Sequence, residues 1–147
     1  MKLMIMALSI LVISCQTKLD SPEEAVENFI KIRMEKVITK EEVLSKVTGK
    51  LKEAIESLSD DEFIQFADLR KFQKNSFKVI SKTCQAKKCF VTYTLGYESI
   101  NEGKATAISE SKKIAEVEHI EGKWLIAEVS NLKTYVESLA PIEPLNP

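Results

Sequence analysis

The sequence predicts an α+β domain, in which N-terminal helices pack on an antiparallel sheet of about four strands. Three observations lead there. The first half of the chain repeats a helix-start signature three times, Ser21-Pro22-Glu23-Glu24, Thr39-Lys40-Glu41-Glu42 and Ser59-Asp60-Asp61-Glu62. In each, the hydroxyl accepts from a free backbone N–H of the first turn while the Glu reaches back. After Lys74-Asn75 the pattern changes to short β-branched and aromatic runs, as strands require. The chain has 147 residues, 44% of them hydrophobic, with four Gly and four Pro, which suffices for one core and leaves little room for low-complexity tracts.

The elements follow in order. A helix over 22–37 starts at Pro22, whose missing N–H costs nothing there, and lines up Ala25, Val26, Phe29, Ile30, Arg33 and Val37 at helical spacing. A second begins after Thr39 with Val43, Leu44 and Val47, and Thr48-Gly49 breaks it. Leu51, Ala54, Ile55 and Leu58 carry a third. Phe63, Ile64, Phe66, Ala67 and Leu69 carry a fourth, ending near Phe72. Phe77 to Cys84 and Cys89 to Tyr97 then form a hairpin around the four-residue loop Gln85-Ala86-Lys87-Lys88, with a bulge where Phe77 and Val79 fall out of phase with Ile80. Lys104 to Ile120 is one long strand, turned by Glu121-Gly122 into Lys123 to Val129. Leu132, Tyr135, Val136 and Leu139 suggest a short terminal helix after Ser130, with a strand continuing from Val129 as the alternative. The domain is thus expected over 21–139, with a loose tail over 140–147.

The start of the chain is of another kind. Residues 1–14 carry one charge, Lys2, and an apolar run from Leu3 to Ile13 interrupted only by Ser9. As a helix this run reaches about 16 Å, half of a hydrocarbon core, so it reads as an export signal and not as a membrane span. It ends in Val12-Ile13-Ser14-Cys15, which resembles the lipobox of bacterial lipoproteins. The resemblance implies that the Cys15 thiol receives a diacylglyceryl group, that residues 1–14 are cut away, and that the new amino terminus is acylated. Several acyl chains hold a protein on a membrane for long periods. Residues 15–20 form the tether, reaching at most about 20 Å when extended. With Gln16 and not Asp after the anchor, the resemblance implies a cell-envelope location, at the outer membrane facing the periplasm if the source is Gram-negative.

Ser21-Pro22-Glu23-Glu24-Ala25-Val26 with Phe29-Ile30, and Ile120-Glu121-Gly122-Lys123-Trp124-Leu125-Ile126 near the end, resemble the nuclear-transport-factor-2-like (cystatin-like) superfamily, and more narrowly small lipoproteins of unknown function within it. That resemblance implies a cone-shaped curved sheet closed by the N-terminal helices. In enzymes of the superfamily the open end of the cone holds an acid/base pair. Tyr93, Tyr97, His119, Trp124 and Glu128 are the residues that a pocket of this kind would draw on.

Cys15 apart, Cys84 and Cys89 are an even pair in an exported chain. Three readings stand open: a disulfide pinning the hairpin register, two reduced core thiols, or a redox or metal pair. The spacing is not C-x-x-C, and one His cannot supply the further ligands of a metal site. No cofactor is expected. The 21 Lys and Arg against 22 Asp and Glu are interspersed, which excludes a nucleic-acid partner held by phosphate neutralisation. No phosphate loop, nucleophile elbow or HExxH spacing occurs. The expected role is a non-enzymatic, lipid-anchored domain that binds an envelope protein or a small ligand. The alternatives are a hydratase- or isomerase-type enzyme working in the cone, and a purely structural envelope protein.

Overall fold

The computed structural model describes residues 21–139; the signal segment, Cys15, the tether and the tail lie outside them. Four helices come first: α1 (Pro22–Glu35), α2 (Lys40–Leu44), α3 (Gly49–Ser57) and α4 (Asp60–Ala67). At the start of α1 the Ser21 hydroxyl accepts from the Glu24 N–H at 3.2 Å. Thr39 and Ser59 each form a reciprocal box with Glu42 and Glu62. Helix α3 has no side-chain cap. The chain enters it instead through Gly49, at φ +52°, a left-handed conformation that suits glycine. Gly49 therefore opens a helix where the sequence suggested only a break. Just before it, the Thr48 N–H donates to the Ile126 carbonyl at 2.9 Å and the Ile126 N–H donates to the Lys46 carbonyl at 3.0 Å.

Four long strands follow, β1 (Phe72–Gln85), β2 (Lys88–Asn101), β3 (Lys104–Ile120) and β4 (Lys123–Ser138), in the order β1-β2-β3-β4, with every neighbour antiparallel. Each connection is a two-residue turn. Glu102-Gly103 and Glu121-Gly122 have positive φ at both positions, the conformation whose twist matches that of the flanking strands. The loop expected over 85–88 is shorter than its sequence suggested, because Gln85 and Lys88 pair and only Ala86-Lys87 turn. Register shifts between Lys74 and Ser76 and between Val79 and Ser81 leave Asn75 and Ile80 as the extra residues of β1. Gly96 lies opposite the first of these shifts. A Cβ there would meet Ser76 Oγ and Asn75 Oδ1, so any larger residue would have to turn those side chains aside.

Two expectations are corrected. The sheet is not curled into a cone: it is an open four-stranded meander with four short helices against part of one face. The helices are too short and too few to close such strands, and every residue from Ser130 to Leu139 is exposed. The nuclear-transport-factor-2-like architecture is therefore withdrawn. No terminal helix forms either, since β4 continues to Ser138 along β3. An isolated helix of this length is marginal in water, whereas a free β3 edge offers a full ladder of partners, and Thr134, Tyr135 and Val136 suit a strand.

The core lies between the helices and the middle of the sheet. Val91, Ala115 and Val117 of β2 and β3 meet Val26, Phe29 and Ile30 of α1, with Val43, Val47, Ile55 and Ile126 filling the end beside α2 and α3. Along the side of the sheet, Glu23 and Glu27 of α1 bind Lys82 and Lys74 of β1. Ile126, which is 1% exposed, both fills the core and holds the Lys46–Thr48 segment. Ile126→Ala should cost about 3 kcal/mol through lost burial and a residual cavity. Val136→Ala, at a side chain 67% exposed, should stay within about 0.5 kcal/mol of the parent. Urea unfolding followed by circular dichroism measures both.

Candidate functional site

The five residues proposed for a pocket do not converge. Tyr93 is buried in the middle of β2, its ring 5.3 Å from Phe77. Tyr97, four residues further along β2, meets Phe72 edge-on at 5.1 Å. His119 and Trp124 face each other beside the Glu121-Gly122 turn, with ring centroids 4.8 Å apart. Glu128 is held by Lys50 of α3 at 3.1 Å. Tyr93 pairs through Lys113, and from Lys113 to His119 β3 runs six residues, about 20 Å. Tyr93 and His119 are thus out of mutual reach, and the Glu128 carboxylate is engaged by Lys50.

The structure builds a different cluster, around Arg33. The sequence carried its signal as an anomaly, a guanidinium on the apolar stripe of α1. Its charge lies 5.1 Å from the centre of the Phe29 ring and 4.2 Å from that of Phe66, stacked as a planar cation on aromatic faces. One Nη donates to the Phe66 carbonyl in the last turn of α4, where a cation complements the exposed carbonyls. The Arg33 carbonyl accepts from the Leu69 N–H at 3.0 Å, so this residue stitches the exit of α4 onto α1. Its Nε is buried and has no hydrogen-bond partner. Burial lowers the guanidinium to about 10, and burial pushes the Tyr93 phenol up to about 12 against the attraction of Arg33.

Lys113 continues the cluster on the same face of the sheet. It stands between Tyr93 of β2 and Asn131 of β4 in the pairing register. Burial, with the repulsion of Arg33 second, lowers its ammonium. One pair further along, Ser111 is 2% exposed and its hydroxyl lies 3.2 Å from that of Thr134. Thr134 in turn accepts from the Asn131 amide at 2.9 Å. Along β3 and β4 the inner face therefore changes from apolar to polar at Lys113, while Leu95 of β2, opposite Ser111, stays in the core.

A groove of about 440 Å³ lies between the end of α1 and the start of β1, lined by Lys31, Met34, Arg70, Phe72, Lys74 and Ile100 among others. Its charges are already matched: Lys31 with Glu35 at 4.0 Å, Arg70 with Asp68 at 2.8 Å, and Lys74 with Glu27 at 2.9 Å. The hydrogen bonds from Arg70 hold the Asp68 carboxyl at about 2.

Cys84 and Cys89 are cross-strand partners one step in from the first turn, at disulfide distance, with sulfurs 2.11 Å and Cα atoms 4.1 Å apart. Such close Cα atoms belong to facing residues that share no ladder hydrogen bonds. Cys89 is buried and Cys84 exposed. A bridge here closes a small ring and restrains the unfolded chain by about 2 kcal/mol in the entropy account. Among the described residues no group of three or more His, Cys, Asp or Glu could hold a metal ion, and no helix is long and apolar enough to cross a membrane.

Comparison with known proteins adds the fold. No family description matches the chain, and no curated protein does. Among solved structures, the intermembrane space region of the chloroplast protein ARC6 is similar, with a TM-score of 0.54 and 20% identity over 75% of this chain and 92% of that one. At that identity the likeness is one of fold alone.

The Tyr93 phenol has a measurable signature. An unfolded tyrosine ionises near 10, so the stability gained by keeping Tyr93 neutral is present below about pH 10 and is lost as the pH rises toward the folded value of about 12. Arg33 acts in the opposite sense over the same window, because folding lowers its value to about 10 and stability then rises with pH. An ultraviolet titration at tyrosinate wavelengths should show one of the three tyrosines ionising late, near pH 12, and Tyr93→Phe should remove that step. A late step that survives the substitution would contradict the assignment.

Proposed function

We propose that the chain is a lipid-anchored, non-enzymatic binding domain of a bacterial cell envelope, tethered through Cys15. The lipobox segment Val12-Ile13-Ser14-Cys15 carries the reading. It is supported by the Cys84–Cys89 pair, since a bridged hairpin suits an oxidising compartment. The short tether keeps the domain near its bilayer, at the outer membrane facing the periplasm if the source is Gram-negative. The dispersal of Tyr93, Tyr97, His119, Trp124 and Glu128 favours binding over acid/base catalysis, which needs its groups within hydrogen-bond reach of one substrate.

The test is metabolic labelling with a fatty acid, together with fractionation and intact mass. The parent chain should incorporate label, lose residues 1–14, sediment with membranes and carry no free thiol. Cys15→Ser should abolish label, processing at that bond and membrane association together. Unlabelled parent protein, or a serine variant that is still cut before residue 15 and still sediments, would overturn the reading.

A further inference from the structure

The last stretch of β4 is an uncovered sheet edge. Every residue from Ser130 to Leu139 is exposed, and the Lys46–Thr48 segment, which covers this edge at Ile126, ends well before it. The Leu139 N–H donates to the Thr106 carbonyl at 3.0 Å, and the register runs without a shift from the Ala107–Ser138 pair to the Lys112–Lys133 pair. Alternation therefore turns the main-chain groups of Lys133, Tyr135 and Glu137 toward β3 and those of Thr134 and Val136 outward. Among the described residues no further backbone pairs with those two. The side chains alternate as well. Thr134 meets Ser111 on the helix side, while Lys133 and Tyr135 share the other face, the ammonium 4.5 Å from the ring centre. Lys133 stands opposite Lys112, a like charge, and neither Lys133 nor Glu137 has an ion pair among the described residues. The other edge of the sheet differs: β1 is interrupted at Asn75 and Ile80 and carries Lys74, Lys78 and Lys82, devices that keep an edge from pairing.

We propose that this stretch pairs antiparallel with the same stretch of a second copy of the chain, about a two-fold axis at Tyr135, joining two four-stranded sheets edge to edge. Lys133-Thr134-Tyr135-Val136-Glu137 is complementary to itself in that register. Lys133 faces the partner's Glu137, and Glu137 faces the partner's Lys133. Tyr135 lies beside the partner's Tyr135, while Thr134 and Val136 exchange main-chain hydrogen bonds with the partner's Val136 and the partner's Thr134. Opposite charges and aromatic rings placed across from each other stabilise a sheet, and such reciprocity is what a two-fold contact demands. A centre one residue to either side would set Glu137 or Lys133 against a tyrosine and leave the charges unmatched. The axis stands perpendicular to the sheet, so both helical layers lie on one face and two chains tethered to the same bilayer can meet. The contact is small by the standard of stable interfaces, so the copies separate on dilution and pair as they concentrate. This inference goes beyond the anchored-domain reading and stands whether or not Cys15 is acylated.

The test is disulfide trapping of the full chain, in membranes or in concentrated solution, with copper phenanthroline as oxidant. Tyr135→Cys should give a dimer above the level of the parent, because facing residues that share no ladder hydrogen bonds have Cα atoms about 4.5 Å apart, within disulfide reach. Lys133→Cys should not, since its counterpart lies four residues along the strand, about 13 Å away. In the Tyr135→Cys background, Lys133→Glu should slow trapping roughly tenfold, as it sets like charges against each other twice per dimer, and adding Glu137→Lys should restore the rate. Lys133→Glu also puts an acid beside Lys112, so a loss of pairing there is not a loss of fold. Absence of a Tyr135→Cys dimer, equal trapping of Lys133→Cys, or a rate indifferent to charge reversal would overturn the pairing. Trapping that appears only once residues 140–147 are removed would give the edge to the chain's own tail, and a product of another mass would give it to a different protein. Either result overturns the second copy as occupant.

Discussion

A sheet covered on one face must hide every second side chain of its central strands, and this one hides them under α1 and, at the Ile126 end, under α2 and α3. Val91, Ala115 and Val117 have no exposed surface. They stand on the two strands that have sheet neighbours on both sides. Strand alternation then dictates which residues face the helices, and a slip of one residue would turn that set to solvent. The two-residue turns prevent the slip, and so does the Cys84–Cys89 pair beside the first of them. The extra residues at Asn75 and Ile80 change the phase of β1 without disturbing β2.

Beyond Lys113 the face turns polar along β3 and β4, through Ser111, Ser109 and Thr134, while β2 keeps Leu95 and Tyr97 on the core. Arg33 lies in the last turn of α1, against Phe29 and Phe66. Burying its charge without a carboxylate is expensive, and the cost is offset in part by the two aromatic faces and the Phe66 carbonyl. The same residue fastens α4, whose other ties to the sheet are few. A single side chain therefore serves both the packing of the helical layer and the electrostatics of the face below it.

Local signals were well written in the sequence. The hydroxyl–Glu boxes at Thr39 and Ser59 appear as reciprocal hydrogen bonds, and Glu121-Gly122 turns the chain as its composition requires. The identical dipeptide Glu102-Gly103 makes the same turn but went unread, since no strong alternation flanks it. The segment after Ser130 offered helical spacing and strand-forming residues at once. The partner that decided it, β3, is far away in sequence. The cone was carried by resemblance and not by any residue that forces curvature, and the open sheet shows how little the two hairpin motifs constrain the whole. Arg33 was visible as a charge on an apolar stripe, but the rings of Phe29 and Phe66 that give it meaning belong to different helices. The leader and Cys15 are legible only as sequence.

Burial is concentrated on one part of one face, and native-state hydrogen exchange reads that directly. The amides of Val91, Tyr93, Ala115 and Val117 should exchange only through global unfolding, with protection equal to the full stability. Those of Thr134, Val136 and Ser138 should exchange by local opening several kcal/mol more readily. Uniform protection along β4 to Ser138, or early exchange at Ala115 and Val117, would contradict it.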